Sequence, residues 1–239
     1  MGKRLRQQRR GKGSNAYRKP PNTFKADISF APVKQGLTLN GEVVRLLDDP
    51  GHSAPLMLVE FSNGERSMLI APEGIYVGSP IQQGEGASVA LGNVLPLRNV
   101  PDGIPVFNIE ARPGDGGRIA RSAGEYADVI SHANGKVSIR LPSKAVIELD
   151  ENCRAEIGVS AGGGMKAQPI MKAGKNYYIK HAINATWPKN RGVKSNPVDH
   201  PFGGKQHHKG ASSIASRHAP PGAKVGQIAA RRIGRRKRG

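Results

Sequence analysis

A single cysteine, Cys153, leaves no partner for an internal disulfide and no Cys-x-x-Cys pair for a zinc site. Its simplest role is that of a small buried hydrophobe, which suits a reducing compartment. No apolar run nears the ~20 residues needed to span a bilayer, and the basic segments lack the Trp/Phe/Leu face of an interfacial helix. The first residues are basic without an apolar stretch behind them, which argues against a secretory signal. Their Gly-rich, non-amphipathic texture argues against an organelle transit peptide. Aromatics are scarce, at 5 %. Acid is scarce only in places: residues 1–25 have none and residues 165–239 have one, Asp199.

The remaining seventeen acids all fall in residues 26–164, beside eleven Lys and Arg. The two flanks carry nine and seventeen basic residues, so they hold +9 and +16 while the middle is −6, which together make the formal net charge of +19. Like charges at that density repel unless a polyanion neutralises them, and nucleic acid is the first candidate. The candidate phosphate contacts of the first flank are Lys3, Arg4, Arg6, Arg9, Arg10, Lys12, Arg18 and Lys19, with Tyr17 and Phe24 available for stacking. A flank this polar is expected to be disordered when free.

The middle of the chain reads as short strands. Leu39–Leu47, Leu56–Phe61 and Arg66–Ile70 form one set, with a hairpin expected at Asn63-Gly64 through the mirror-image turn in which both residues take positive φ. Ala87–Leu91 is expected to add a further strand. After a Pro/Gly-rich link from Pro96 to Gly103, a second set follows. Its runs are Ile104–Glu110, Tyr126–Ser131, Val137–Leu141, Ala145–Leu149 and Arg154–Val159, with a second hairpin at Asn134-Gly135. Strands this short and closely spaced, without long helical patterns, predict a mainly β chain of two small antiparallel barrels. The tail from Val225 is expected to be briefly helical.

Two irregular stretches carry the functional signal. In Arg112-Pro-Gly-Asp-Gly-Gly-Arg-Ile-Ala-Arg121, glycines Gly114, Gly116 and Gly117 would let backbone amides approach a phosphate, with Arg112, Arg118 and Arg121 adding charge. No Gly-Lys-Ser/Thr follows, so this is not a nucleotide-binding P-loop. The second stretch, residues 191–205, is too polar to order itself by burying a core. It holds Arg191, Lys194, Asn196, Asp199, His200, Gly203, Gly204 and Lys205. Lys172 and Lys175 precede it, and Arg231 and Arg232 close the list of RNA-contact candidates.

Asp199 beside His200 raises a general-base reading for an RNA-acting enzyme. Neighbours on an irregular backbone need not converge, and no nucleophile elbow accompanies them. The preferred reading has His200 fitting RNA and Asp199 holding the loop by an Asx-type turn. Neither His181 nor His207-His208 has the spacing of a closed zinc site, so no metal ligand set is expected. A basic DNA-compacting protein is the other alternative that charge leaves open.

Five motifs occurring in order resemble one family: Leu69–Gly74 (Leu-Ile-Ala-Pro-Glu-Gly), Pro113–Gly124, Cys153–Gly158, Lys172–Gly174 and Asn196–Gly204. Together they are similar to the universal ribosomal protein L2 family of the large subunit, in its archaeal/eukaryotic-type branch. The resemblance implies an OB-like barrel followed by an SH3-like barrel, with long irregular basic extensions threaded into large-subunit rRNA. It divides the chain into an N-terminal arm (1–25), the first barrel (26–100), the second (101–164) and a C-terminal extension (165–239). It further implies cytoplasmic work without catalysis, close to the peptidyl-transferase region. Expected partners are rRNA, neighbouring ribosomal proteins and the small subunit across the interface. No cofactor is expected, Mg²⁺ entering only through rRNA phosphates. The chain departs from the family at Lys144, where Gly is usual, at Ser195, where bacterial members tend to have Met, and at His52, where Arg is common.

Overall fold

The computed structural model describes residues 2–18, 24, 27–33, 36–205, 214–220 and 223–231. They fall into two compact units, residues 20–183 and residues 1–19 with 184–239. The expectations for Lys19, His207-His208 and Arg232 lie outside the described residues.

The first unit is built on β1 (Thr38–Leu47), β2 (Leu56–Phe61), β3 (Arg66–Ile70), β4 (Pro80–Gly84), β5 (Val94–Pro96), β6 (Pro105–Phe107), β7 (Ala127–Ala133), β8 (Lys136–Arg140), β9 (Val146–Asp150) and β10 (Arg154–Ile157). They form one continuous sheet in the order β3-β2-β1-β4-β5-β10-β6-β7-β8-β9. All neighbours are antiparallel except β4 and β5, which meet in parallel at Gln83 and Val94. Bulges at Val43/Arg45 in β1 and Val129/Ser131 in β7 bend the sheet over its cores.

Alternation puts Val43, Met57, Val59, Phe61, Leu69 and Ile81 into the first core, and Val106, Ala127, Val129, Val137, Ile139 and Ala155 into the second. Cys153 lies in the second core, and burial pushes its thiol up to about 11. A third cluster, including Ile28, Leu56, Ile70, Phe107, Ala120 and Ala123, seals the two halves together. The link from Pro96 to Gly103 is itself packed, with Leu97 and Val100 buried.

Three local expectations are corrected. Ala87–Leu91 is not a strand; Gly92 takes φ +82° and the chain turns there, while β4 and β5 on either side make the pairings. The Asn63-Gly64 hairpin exists, but only Gly64 has positive φ, so its turn is not the mirror-image type that needs both residues left-handed. Its four-residue loop closes with Glu65 N–H donating to Asn63 Oδ1. The two-residue loop at Asn134 (φ +51°) and Gly135 (φ +73°) is of the mirror-image type. The described part of the tail is not helical. Gln227–Ile228 (β12) pairs in parallel with Ile214–Ala215 (β11).

Beyond β10 come a four-residue helix, α2 (Gly164–Ala167), and α3 (Ala173–Ala182), which has no buried residue. In the second unit, Arg6–Gly11 form α1, an Arg/Gln run whose Gln8 side chain accepts the Leu5 amide at 3.0 Å. Arg9 and Arg10 in its last turn suit the negative end of the helix dipole. Among the described residues of this unit only Gly203 and Val225 are buried. It has order with almost no core.

Candidate nucleic-acid interface

Polar clips hold the second unit. Asn184 Nδ2 donates to the carbonyls of Asn15 (3.1 Å) and Arg18 (2.6 Å). The Lys3 amide donates to Val198 O at 2.7 Å, and its ammonium lies 3.3 Å from Asp199 Oδ1. The stretch 191–205 is thereby joined to the N-terminal flank, nearly two hundred residues away in sequence.

Within the stretch, a 3₁₀ turn at Gly192–Lys194 leads into a tight bend in which Asp199 N–H and His200 N–H both donate to Asn196 O. Gly203 sits against the Ser195 and Asn196 backbone, where a Cβ would collide. Gly192 lies flush on the His200 ring for the same reason. His200 Nδ1 accepts the Phe202 amide at 3.1 Å, and the two rings meet edge to face at 4.9 Å. The side-chain turn that sequence assigned to Asp199 is therefore made by His200. Asp199 reaches Lys3 instead.

With Nδ1 accepting, the proton of a neutral His200 sits on Nε2, and burial pushes its pKa down. His200 is thus a neutral donor rather than a cation. The Asp199 carboxylate is held by Lys3 and the His200 ring by Phe202, so the two do not form the oriented pair that a general base requires.

Arg6, Arg9 and Arg10 of α1 and Lys189 and Lys194 line a cleft of about 600 Å³ that also takes in Asn196, Asp199 and His200. Five cations face one carboxylate there. Arg4, Lys12, Arg18, Arg191, Lys205 and Arg231 are exposed in the same unit, Lys3 is exposed beside Asp199, and Gly204 follows the buried Gly203.

The glycine-rich loop of the barrel unit is organised from beneath by a residue that sequence reading passed over. Glu110 is fully buried. It accepts the Gly116 amide at Oε1 (3.1 Å) and the Gly114 amide at Oε2 (3.2 Å). Arg154 gives it three more: its amide to Oε2 (2.9 Å), and Nε (3.2 Å) and Nη2 (2.8 Å) to Oε1. Burial alone would raise the Glu110 pKa, but the Arg154 hydrogen bonds and charge and the Gly116 amide outweigh it and hold it below the usual range. Arg154 continues to Ala31 O at 3.0 Å and lies 5.1 Å over the Phe30 ring.

The amides of Gly114 and Gly116 therefore point inward at Glu110. What the loop offers outward is the exposed side chains of Arg112 and Arg118. Gly117 is buried with φ +84° against Asn108, and Arg121, half-buried, donates to Gly117 O at 3.1 Å. Burial and the nearby Arg118 push the Arg121 pKa down. Lys172, at the start of α3, and Lys175 are exposed. The sequence signal for Glu110 was faint: one acid ending an apolar run just before a glycine loop.

Among the described residues, no three His, Cys, Asp or Glu side chains gather as a metal site, and no helix is long and apolar enough to cross a membrane.

A cleft of such one-sided charge recruits a polyanion, and small β-barrels are common carriers of nucleic-acid-binding surfaces. By fold and charge the chain is a mainly β protein of the nucleic-acid-binding class. Residues 3–83 match the family model for the RNA binding N-terminal domain of ribosomal proteins L2, and residues 90–224 match that for their C-terminal domain. A large ribosomal subunit protein uL2 of Methanococcus maripaludis strain S2 is 50 % identical over 240 residues, covering 99 % of this chain and 100 % of the relative. That of Haloarcula marismortui is 46 % identical over 236 residues, 98 % of each chain. The chain belongs to the ribosomal protein L2 family.

Proposed function

We propose that the protein is a structural, rRNA-binding constituent of the large ribosomal subunit, working in the cytoplasm among neighbouring ribosomal proteins. The observation that carries this reading is the second unit: an ordered, core-poor lobe whose cleft gathers five cations around one carboxylate. Cations brought together at that density are destabilising until phosphates replace their counterions. In this reading the cleft and the Arg112/Arg118 loop grip separate stretches of RNA backbone, and the irregular Gly/Pro segments follow folded RNA shape rather than base sequence. The same lobe would lie near the peptidyl-transferase region and help the small subunit join. Mg²⁺ would enter through RNA phosphates, with little ligation by protein. The protein itself is taken not to catalyse, because the Asp199 carboxylate and the His200 ring have different partners.

Filter binding of the full chain to large-subunit rRNA and to duplex DNA, at 50 to 200 mM salt, tests the reading. Affinity for rRNA should fall steeply with salt. Arg9→Ala and Lys194→Ala should each reduce the slope of log K against log salt by about 0.7 to 0.9. Equal affinity for duplex DNA in competition would favour a general compacting protein and refute the ribosomal reading.

A further inference from the structure

Most helices hide one face; α3 hides none. Tyr177, Tyr178 and Ile179 are 49 %, 72 % and 48 % exposed. Being consecutive, they fan over about 200° of the helix surface at about 100° per residue. No single flat surface covers them all. Upstream, Ile170 and Met171 are exposed too, Met171 at 82 %. Apolar exposure this continuous marks an interaction surface.

Charge selects the partner. No acid occurs from residue 157 to residue 198, while seven Lys and Arg do. Lys175 lies one turn before Tyr178, on the same face. A partner for this surface must be anionic, must offer flat apolar faces, and must wrap a helix on several sides. Unpaired bases on a phosphate backbone supply all three. The rings are already arranged for it. Tyr177 lies nearly parallel to His181, with centroids 5.9 Å apart and planes at 27°, and Tyr178 meets Tyr177 edge to face at 5.4 Å.

We propose that α3 is a base-stacking helix: Tyr178, buttressed by Tyr177, packs against unpaired bases of large-subunit rRNA, and Lys175 holds a phosphate beside them. This rests on the reading of the chain as an rRNA-binding protein, and adds a contact that basic charge alone does not point to.

The test uses the full chain and in vitro-transcribed archaeal large-subunit rRNA. The double variant Tyr177→Ala/Tyr178→Ala should bind about five- to a hundred-fold more weakly. Its salt slope should stay unchanged, since no cation is lost. Tyr177→Phe/Tyr178→Phe should restore the affinity. Dimethyl sulfate should reach a few unpaired bases in the Ala complex that wild type and the Phe variant protect. The melting temperature should not move, because the helix buries no residue. Wild-type affinity of the Ala variant, with Arg9→Ala and Lys194→Ala still weakening binding, overturns the stacking helix and leaves the rRNA reading intact. Wild-type binding by all of these variants overturns both. Base reactivities unchanged in reconstituted subunits that lose a neighbouring protein would make α3 a protein-docking surface and overturn the proposal.

Discussion

Removing the Glu110 carboxylate would show whether the glycine-rich loop is held by its own backbone or by the ion pair beneath it. In Glu110→Ala the Arg154 guanidinium keeps the Ala31 carbonyl and the Phe30 ring but loses its counter-charge. The Arg154 side chain is 19 % exposed, so water screens it only slightly. Breaking a buried pair from one side costs about 3–5 kcal/mol. The Gly114 and Gly116 amides also lose their acceptor, but the loop lies near enough to solvent for water to replace part of that. For a chain of this size the loss corresponds to a melting temperature lowered on the order of 10 °C. Urea unfolding of the full chain near neutral pH reads it directly. The pH dependence supplies a second check. Glu110 has a lowered pKa in the fold, so its contribution is fully present above the ordinary carboxylate range and fades as pH falls through the folded value. The gap between wild type and variant should therefore close in acid. A loss under about 1 kcal/mol at neutral pH, or a gap that persists through the acid transition, would refute the account.

Lys144 holds φ +66° in the β8–β9 turn, a left-handed conformation that favours Gly. Lys144→Gly should relieve about 1–2 kcal/mol of left-handed strain against about 0.4–1 kcal/mol of added unfolded-state entropy. Denaturant melts should thus show a small net gain, and a clear loss would mean that Lys144 is not strained. Glu156 is fully buried; burial raises its pKa well above the usual range, against the Asn108 amide at 2.6 Å, the Ile70 backbone and Arg121. The folded state then binds the extra proton, so its contribution should fall as pH rises above 4.5. Glu156→Gln should remove that fall without loss of stability at neutral pH, and urea midpoints from pH 5 to 8 that keep the wild-type slope would contradict it. Gly203→Ala should push the Ser195 and Asn196 backbone away and weaken rRNA binding. The barrel melting transition should stay unchanged, and intact RNA affinity would show the bend to be dispensable.

What sequence could and could not show follows from how far each interaction reaches along the chain. The bounds of β2 and β3 were read correctly because strand alternation and an Asn-Gly step are local signals. β4 and β5 were missed because their evidence is distant. Gln83 reads as a polar residue but is buried, its amide donating to Ala31 O at 2.5 Å, fifty-two positions away. The cationic residues of the site were legible one by one, since charge needs no partner to be seen. The cleft was not, because it depends on Asn184 gripping the N-terminal flank and on Lys3 meeting Asp199. Glu110 and Arg154, forty-four positions apart, were hidden for the same reason.

The polar stretch 191–205 thus has an architecture before any ligand arrives, but one made of hydrogen bonds at a surface rather than a buried core. Such bonds are each worth only about 0.5–1.5 kcal/mol net, and five cations crowded into one cleft work against them. Phosphate binding removes that opposition. In the proposed reading RNA is then a folding partner for this lobe as well as its ligand, while the barrel unit, with three apolar clusters of its own, owes its stability to burial.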